Sequence, residues 1–197
     1  MFTRLALSIS LLTLPAAIAP AMAETAIFAG GCFWCVESDM DRVPGVTETI
    51  SGYSGGTSKN PTYQSHADHR EVVKVEFDPA KVSYAQLVST FLRTIDPLDA
   101  DGQFCDRGHS YSTAVYAVGE AQLAAATKAG ADAQAQLGQK IATEIAPAGE
   151  FTEAEGYHQN YYQVNPDKYK FYRFACGRDN RVKEVWGADA YKGVPSH

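Results

Sequence analysis

The stretch TAIFAGGCFWCVESDM, residues 25–40, passes from one kind of local structure to another within a few residues. Residues 25–28 read as a short apolar strand, Ala29, Gly30 and Gly31 break it, and from Cys32 to residue 42 the pattern predicts a helix that must end by Pro44. A strand that turns at once into a helix is the opening of a βα unit, and it sets Cys32 at the helix N-terminus. Gly30 and Gly31 permit the sharp turn and leave the sulfur open, while Phe33 and Trp34 put apolar surface beside it.

Downstream, a second strand is predicted over 46–53 with Val46, Glu48 and Ile50 on one face, followed by the long turn SGGTSKNPT. A third strand, 71–77, alternates Val73, Val75 and Phe77 and stops at Asp78 and Pro79. Helical spacing of Tyr84, Leu87, Val88, Phe91, Leu92 and Ile95 predicts a helix over 83–95, with Ser83 and Gln86 as a capping box and Asp96–Pro97 as its end. A polar loop over 98–111, a strand over 113–118, an alanine-rich helix over 120–139 and a strand over 141–145 follow. This order argues for an α/β sandwich, helices packed on a mixed sheet, in one domain. The tyrosine-rich segment over 157–172 reads as a C-terminal stretch packed over the core.

Upstream, Arg4, an apolar run over 5–20 and Ala21-Met22-Ala23 before Glu24 have the layout of a secretory leader, so residues 1–23 are expected to be removed and the protein exported, to a periplasm or beyond. Residues 24–197 are then the folded domain. No second apolar run suggests a membrane anchor. A formal charge of −6 without a long basic run argues against nucleic acid, whose binding rests on neutralised phosphates. An exported chain with four cysteines could hold two bridges, yet Cys32 and Cys35 are only three residues apart, which points to redox chemistry beside architecture.

A thiol reacts as its thiolate, and a helix N-terminus favours that charge, so Cys32 is the expected nucleophile. A CxxC pair also suits zinc, haem or thioredoxin-like chemistry. Covalent haem would need His where Val36 stands, and a zinc site would need a second ligand pair, for which only His66 and His69 offer themselves. Those two read as a solvated turn, so no metal is expected.

GGCFWCVE at 30–37, GYSGG at 52–56, NPTY at 60–63, HREVV at 69–73, DRGHSY at 106–111 and GYHQNYYQVNP at 156–166 together resemble the A-class peptide methionine sulfoxide reductases, in that family's order. The resemblance implies a two-layer α/β sandwich of ferredoxin-like arrangement. It also implies roles by matching position: Cys32 as nucleophile, Glu71 as the acid that protonates the sulfoxide oxygen, Tyr53 and Tyr111 as hydroxyl donors to that oxygen, Asp106 as a second pocket acid, and Phe33 and Trp34 as the apolar wall around the substrate methyl. The implied substrate is the S epimer of methionine sulfoxide, free or in peptides, with no prosthetic cofactor and an external thioredoxin-like dithiol as reductant.

Attack would leave a sulfenic acid on Cys32, which a second thiol must resolve. Family habit points to Cys176. Helix geometry points to Cys35, three residues on and on the same face as Cys32. Cys35 is the favoured resolver, leaving Cys105 and Cys176 to form a structural bridge in an oxidising compartment. A general thiol–disulfide oxidoreductase and a small binding domain held by two bridges are the competing readings.

Overall fold

The computed structural model describes residues 22–195, so the leader expected over residues 1–23 lies almost wholly outside the described residues. The chain begins with β1 (Glu24–Gly30), α1 (Phe33–Met40), β2 (Val46–Ser54), β3 (Arg70–Phe77) and α2 (Tyr84–Leu92). A small hairpin of β4 (Gly102–Gln103) and β5 (Asp106–Arg107) precedes β6 (Thr113–Ala117), α3 (Glu120–Leu137), β7 (Glu144–Pro147) and β8 (Thr152–Glu153). Three helices finish it: α4 (Tyr161–Val164), α5 (Pro166–Ala175) and α6 (Arg178–Trp186).

The main sheet has the order β7-β6-β1-β3-β2-β8. β3 pairs antiparallel with both β1 and β2, and β1 pairs antiparallel with β6, so each helical crossover joins parallel strands that have another strand between them. That is the doubled split βαβ of the ferredoxin-like arrangement. The parallel β6–β7 pair makes the sheet mixed. The fold is therefore the α+β sandwich that the order of elements predicts.

Phe28, Val73, Val75 and Phe77 on the sheet bury against Val36 and Met40 of α1 and Leu87, Val88 and Phe91 of α2. Phe28 and Phe91 stack with centroids 4.5 Å apart. Burying a side chain of this size contributes about 1.5–3 kcal/mol. The opposite face carries only a small cluster of Ile27, Ala29, Val72, Ala114 and Tyr116, partly covered by Phe151 and Ala146.

Four local expectations are adjusted. The pairing of β2 with β3 shifts between Val46 and Glu48, and this bulge moves the inward face from Glu48 and Ile50 to Thr49, Ser51 and Tyr53. α2 keeps its capping box, Gln86 N–H donating to Ser83 Oγ and Ser83 N–H to Gln86 Oε1, but stops at Leu92, where i→i−3 bonds from Arg93 and Thr94 tighten the turn. β7 starts at Glu144 rather than 141, because Ala142 N–H is held by Pro97 O at 2.7 Å. The tyrosine-rich tail is helical, with Pro166 opening α5 and Gly177, in the left-handed region, separating α5 from α6.

These helices are locked down by charge. Arg178, fully buried, donates to Gly30 O and Thr94 O at 3.1 Å each and faces Asp39 of α1. Arg173 reaches Asp39 at 2.9 Å and Asp179 at 2.8 Å. Cys105 and Cys176 are joined in a disulfide with Cα atoms 4.9 Å apart across a separation of 71 residues, tying the end of α5 to the β4–β5 hairpin. Among the described residues no helix is long and apolar enough to cross a membrane.

Removing one partner of a buried charge network strands the others. Arg178→Met should lower the unfolding free energy by about 3–5 kcal/mol, read from urea denaturation midpoints; a loss under about 1 kcal/mol would mean that apolar packing alone holds the tail.

Candidate active site

The turn between β1 and α1 brings the site together. Gly31 has φ +83°, and a Cβ there would lie 2.6 Å from Gln103 Cβ. A Cβ on Gly30 would meet Val36 and Phe91 at 2.8 and 2.9 Å. No larger residue fits either position without displacing its neighbours, so the chain can wrap tightly and place Cys32 as the N-cap of α1.

Cys32, 7 % exposed, lies on a small cavity of about 50 Å³ lined also by Phe33, Trp34, Tyr63, Glu71, Asp106, Tyr111 and Tyr172. That is room for a few heavy atoms. Glu71, on β3 and 1 % exposed, accepts the N–H of Phe33 on Oε2 at 2.9 Å. Burial pushes its carboxyl up to about 8, against the pull of that N–H and with further push from Asp106 and Cys35. At neutral pH it is an acid with its proton on. Asp106 is likewise raised by burial and accepts a hydrogen bond from Tyr172 of α5. Burial raises the hydroxyls of Tyr111 and Tyr172 as well, so both stay protonated donors.

The two thiols divide differently from the expectation. Burial pushes Cys32 up, and its hydrogen bond with Cys35 adds to the rise. Cys35, 2 % exposed, is held down at about 7 by the hydrogen bond from Cys32 and by the Arg178 and Arg173 guanidinium groups. The first N–H of α1 is spent on Glu71 rather than on the Cys32 sulfur, so the helix terminus polarises the acid, and the arginines under α1 favour charge on Cys35.

Trp34 stacks on Tyr161 at 3.8 Å and donates its Nε1–H to His158 Nδ1 at 3.1 Å. Phe33 completes this wall. Tyr53 lies opposite Glu71 in the β2–β3 register, but its hydroxyl donates to Glu155 Oε2 at 2.9 Å and it is not among the cavity's lining residues. Glu155 also accepts the N–H of Tyr63, which does line it. Tyr63 and Tyr172 were missed because tyrosine reads as packing; the NPTY motif was the available signal for the first, and Tyr172 had none.

His66 and His69 do not form a solvated turn. They are 8 % and 4 % exposed, because the 55–69 loop closes on itself through Gly56, Ser58 and Asp68 and sets His66 against Tyr53. His69 accepts Gly56 N–H on Nδ1 and bonds Ser58 O through Nε2. His66 bonds Thr62 O through Nδ1 and points Nε2 at Glu71 Oε1, 3.9 Å away. Cys105, Asp106 and Cys176 bring ligand-type atoms within 4.8 Å, but both sulfurs are spent in the disulfide.

A buried thiol beside a protonated carboxylic acid in a cavity of a few atoms, with a second thiol bonded to it, defines a thiol reductase for a small polarised group. The chain belongs to the peptide methionine sulfoxide reductase family, whose model matches residues 24–190. It is 56 % identical over 173 residues to peptide methionine sulfoxide reductase MsrA 2 of Rhizobium meliloti, covering 87 % of each chain. Its fold is similar to methionine sulfoxide reductase A of Corynebacterium diphtheriae, with TM-score 0.70 and 34 % identity over 75 % of this chain and 77 % of that one. It is also similar to Mxr1 of Saccharomyces cerevisiae solved in complex with Trx2, with TM-score 0.51 and 25 % identity over 74 % and 91 % of the two chains.

The raised Glu71 carboxyl has a stability consequence of definite sign. The folded state holds this proton more tightly than the unfolded one, so the group's contribution is complete below about pH 4.5 and is lost as the pH rises toward about 8. Glu71→Gln does not titrate, so its stability relative to the parent should grow between pH 5 and 8 by up to about 1.4 kcal/mol per unit, then level off. Urea denaturation of both proteins at pH 5, 6.5, 8 and 9 measures this; a constant gap would mean that Glu71 is already ionised at pH 5.

Proposed function

We propose that this chain is a peptide-methionine (S)-S-oxide reductase, acting on methionine sulfoxide free or in oxidised proteins. The observation that carries the reading is the Phe33 N–H to Glu71 bond, which fixes a protonated acid against the turn that bears Cys32. Nucleophile and acid are thereby held in register by one peptide group. The names of the relatives support the same activity.

The substrate methyl packs against Phe33 and Trp34, and its oxygen faces Glu71 and Tyr111. Cys32 gives its proton to Cys35 and attacks sulfur, while Glu71 protonates the oxygen, a poor leaving group otherwise. The protonated oxygen then passes from the substrate sulfur to Cys32 as the new Cys32–sulfur bond breaks, so the thioether departs, Cys32 carries the oxygen as a sulfenic acid, and Glu71 is left as a carboxylate. Cys35 then attacks Cys32, water leaves, and a Cys32–Cys35 disulfide forms. An external dithiol takes that disulfide back to two thiols and is itself oxidised. Trx2 bound to the yeast relative supports a thioredoxin-like protein in that part. Asp106 holds Tyr172 against Cys32. Tyr53 reaches the substrate oxygen only by giving up Glu155, so Tyr111 is the nearer donor.

Cys35 is assigned as resolver because it already bonds Cys32, whereas Cys176 is committed to Cys105. Residues 1–23 support export to the periplasm, where such a bridge persists.

Racemic methionine sulfoxide with excess dithiothreitol should be consumed to one half, leaving the R epimer, and Cys32→Ser should consume none. Full conversion by the parent, or residual turnover above a few per cent in the variant, would defeat the assignment. Peptide mapping after one equivalent of sulfoxide should give a Cys32–Cys35 linkage, and Cys35→Ser should instead accumulate Cys32 sulfenic acid; a Cys32–Cys176 linkage would transfer the resolving role to Cys176.

A further inference from the structure

His66 belongs to none of the steps above, yet it is built into the site. Its ring stacks on Tyr53 at 4.8 Å and on Tyr63 at 5.9 Å. Nδ1 faces Thr62 O at 3.1 Å, a carbonyl that can only accept, so Nδ1 carries the hydrogen and Nε2 is the nitrogen left to take up and release a proton. Ser110 Oγ donates to the His66 carbonyl at 3.4 Å, joining the segment to the turn that bears Tyr111. With the ring stacked and one nitrogen held, the other nitrogen is aimed at Glu71 Oε1, 3.9 Å away. Glu71 Oε2 already accepts the Phe33 N–H, so the acid proton belongs on Oε1, the oxygen His66 faces. Less than an ångström or so of movement brings the two into hydrogen-bond contact.

Each turnover ends with Glu71 as a carboxylate that is 1 % exposed and has one oxygen covered, and it must regain a proton before the next sulfoxide can react. We propose that His66 is the proton relay that recharges Glu71: Nε2 takes a proton from solvent, passes it to Oε1, and returns to its neutral form. The relay rests on the sulfoxide reductase reading of the site. No atoms other than the proton move, and the thiols are untouched.

The test is steady-state reduction of methionine sulfoxide with saturating dithiothreitol, comparing the parent with His66→Phe, which keeps the aromatic stack, and His66→Gln, which keeps a donor toward Thr62. Both variants should lose at least about tenfold in kcat with KM within about twofold. Imidazole added to the buffer should restore the rate in proportion to its concentration, which a merely structural loss would not allow. An unchanged kcat, or a loss that imidazole does not restore in either variant, overturns the relay. A parent protein that releases no thioether overturns the reductase reading as well, whereas an active parent with unaffected variants overturns the relay alone.

Discussion

The structure depends on a buried charge cluster beneath the thiol pair: Asp39 on α1 facing Arg173 and Arg178 from the C-terminal helices. Taking such charges from water is costly, and close ion pairing and hydrogen bonds offset that cost. Arg178 sets Nη1 and Nη2 on the carbonyls of Gly30 and Thr94, one at the end of β1 and one just past α2, and turns Nε toward Asp39 at 3.8 Å. The same guanidinium therefore docks the tail, fixes the carbonyl that precedes the Gly31–Cys32 turn, and draws negative charge toward Cys35. Tail packing, turn geometry and thiol ionisation share one set of atoms.

Protons are distributed in consequence. Cys32 and Glu71 both hold theirs because both are buried, while Cys35 is the group the arginines relieve of its own. This arrangement suits a reaction that needs an acid and a nucleophile side by side. A Cys32 thiolate beside a Glu71 carboxylate would set two negative charges together in a poorly solvated cavity; placing the charge on Cys35 keeps it over the cations.

Much of this was legible in the residues. β3 and α2 carry full hydrophobic periodicity, and the Ser83–Gln86 box is a local device, so the sandwich could be read without tertiary information. The β2 bulge could not, because Thr49 and Ser51 are polar residues on an inward face. α5 escaped notice because its buried members, Tyr169 and Arg173, include a charge whose partner lies on α1. His66 read as part of a solvated turn, and its burial comes from a loop closed on itself and stacked on Tyr53 of β2, which no local pattern encodes. The thiol pair was plain from spacing alone, but which sulfur carries the charge depends on arginines more than a hundred positions away.

The stack of Trp34 on Tyr161 has an optical consequence. The chain has two tryptophans, and they stand in unlike surroundings. Trp186 is buried with its indole N–H on Ile95 O and Arg93 over its ring, so its emission reports the closure of α6 on the sandwich. Trp34 is a wall of the cavity, two residues from Cys32 and adjacent to Cys35, so thiol, sulfenic acid and disulfide each present it with a different quencher. The molecule thus carries separate intrinsic fluorophores for its folding and its redox state, and a Trp186→Phe background would let the catalytic cycle be followed in real time without a label.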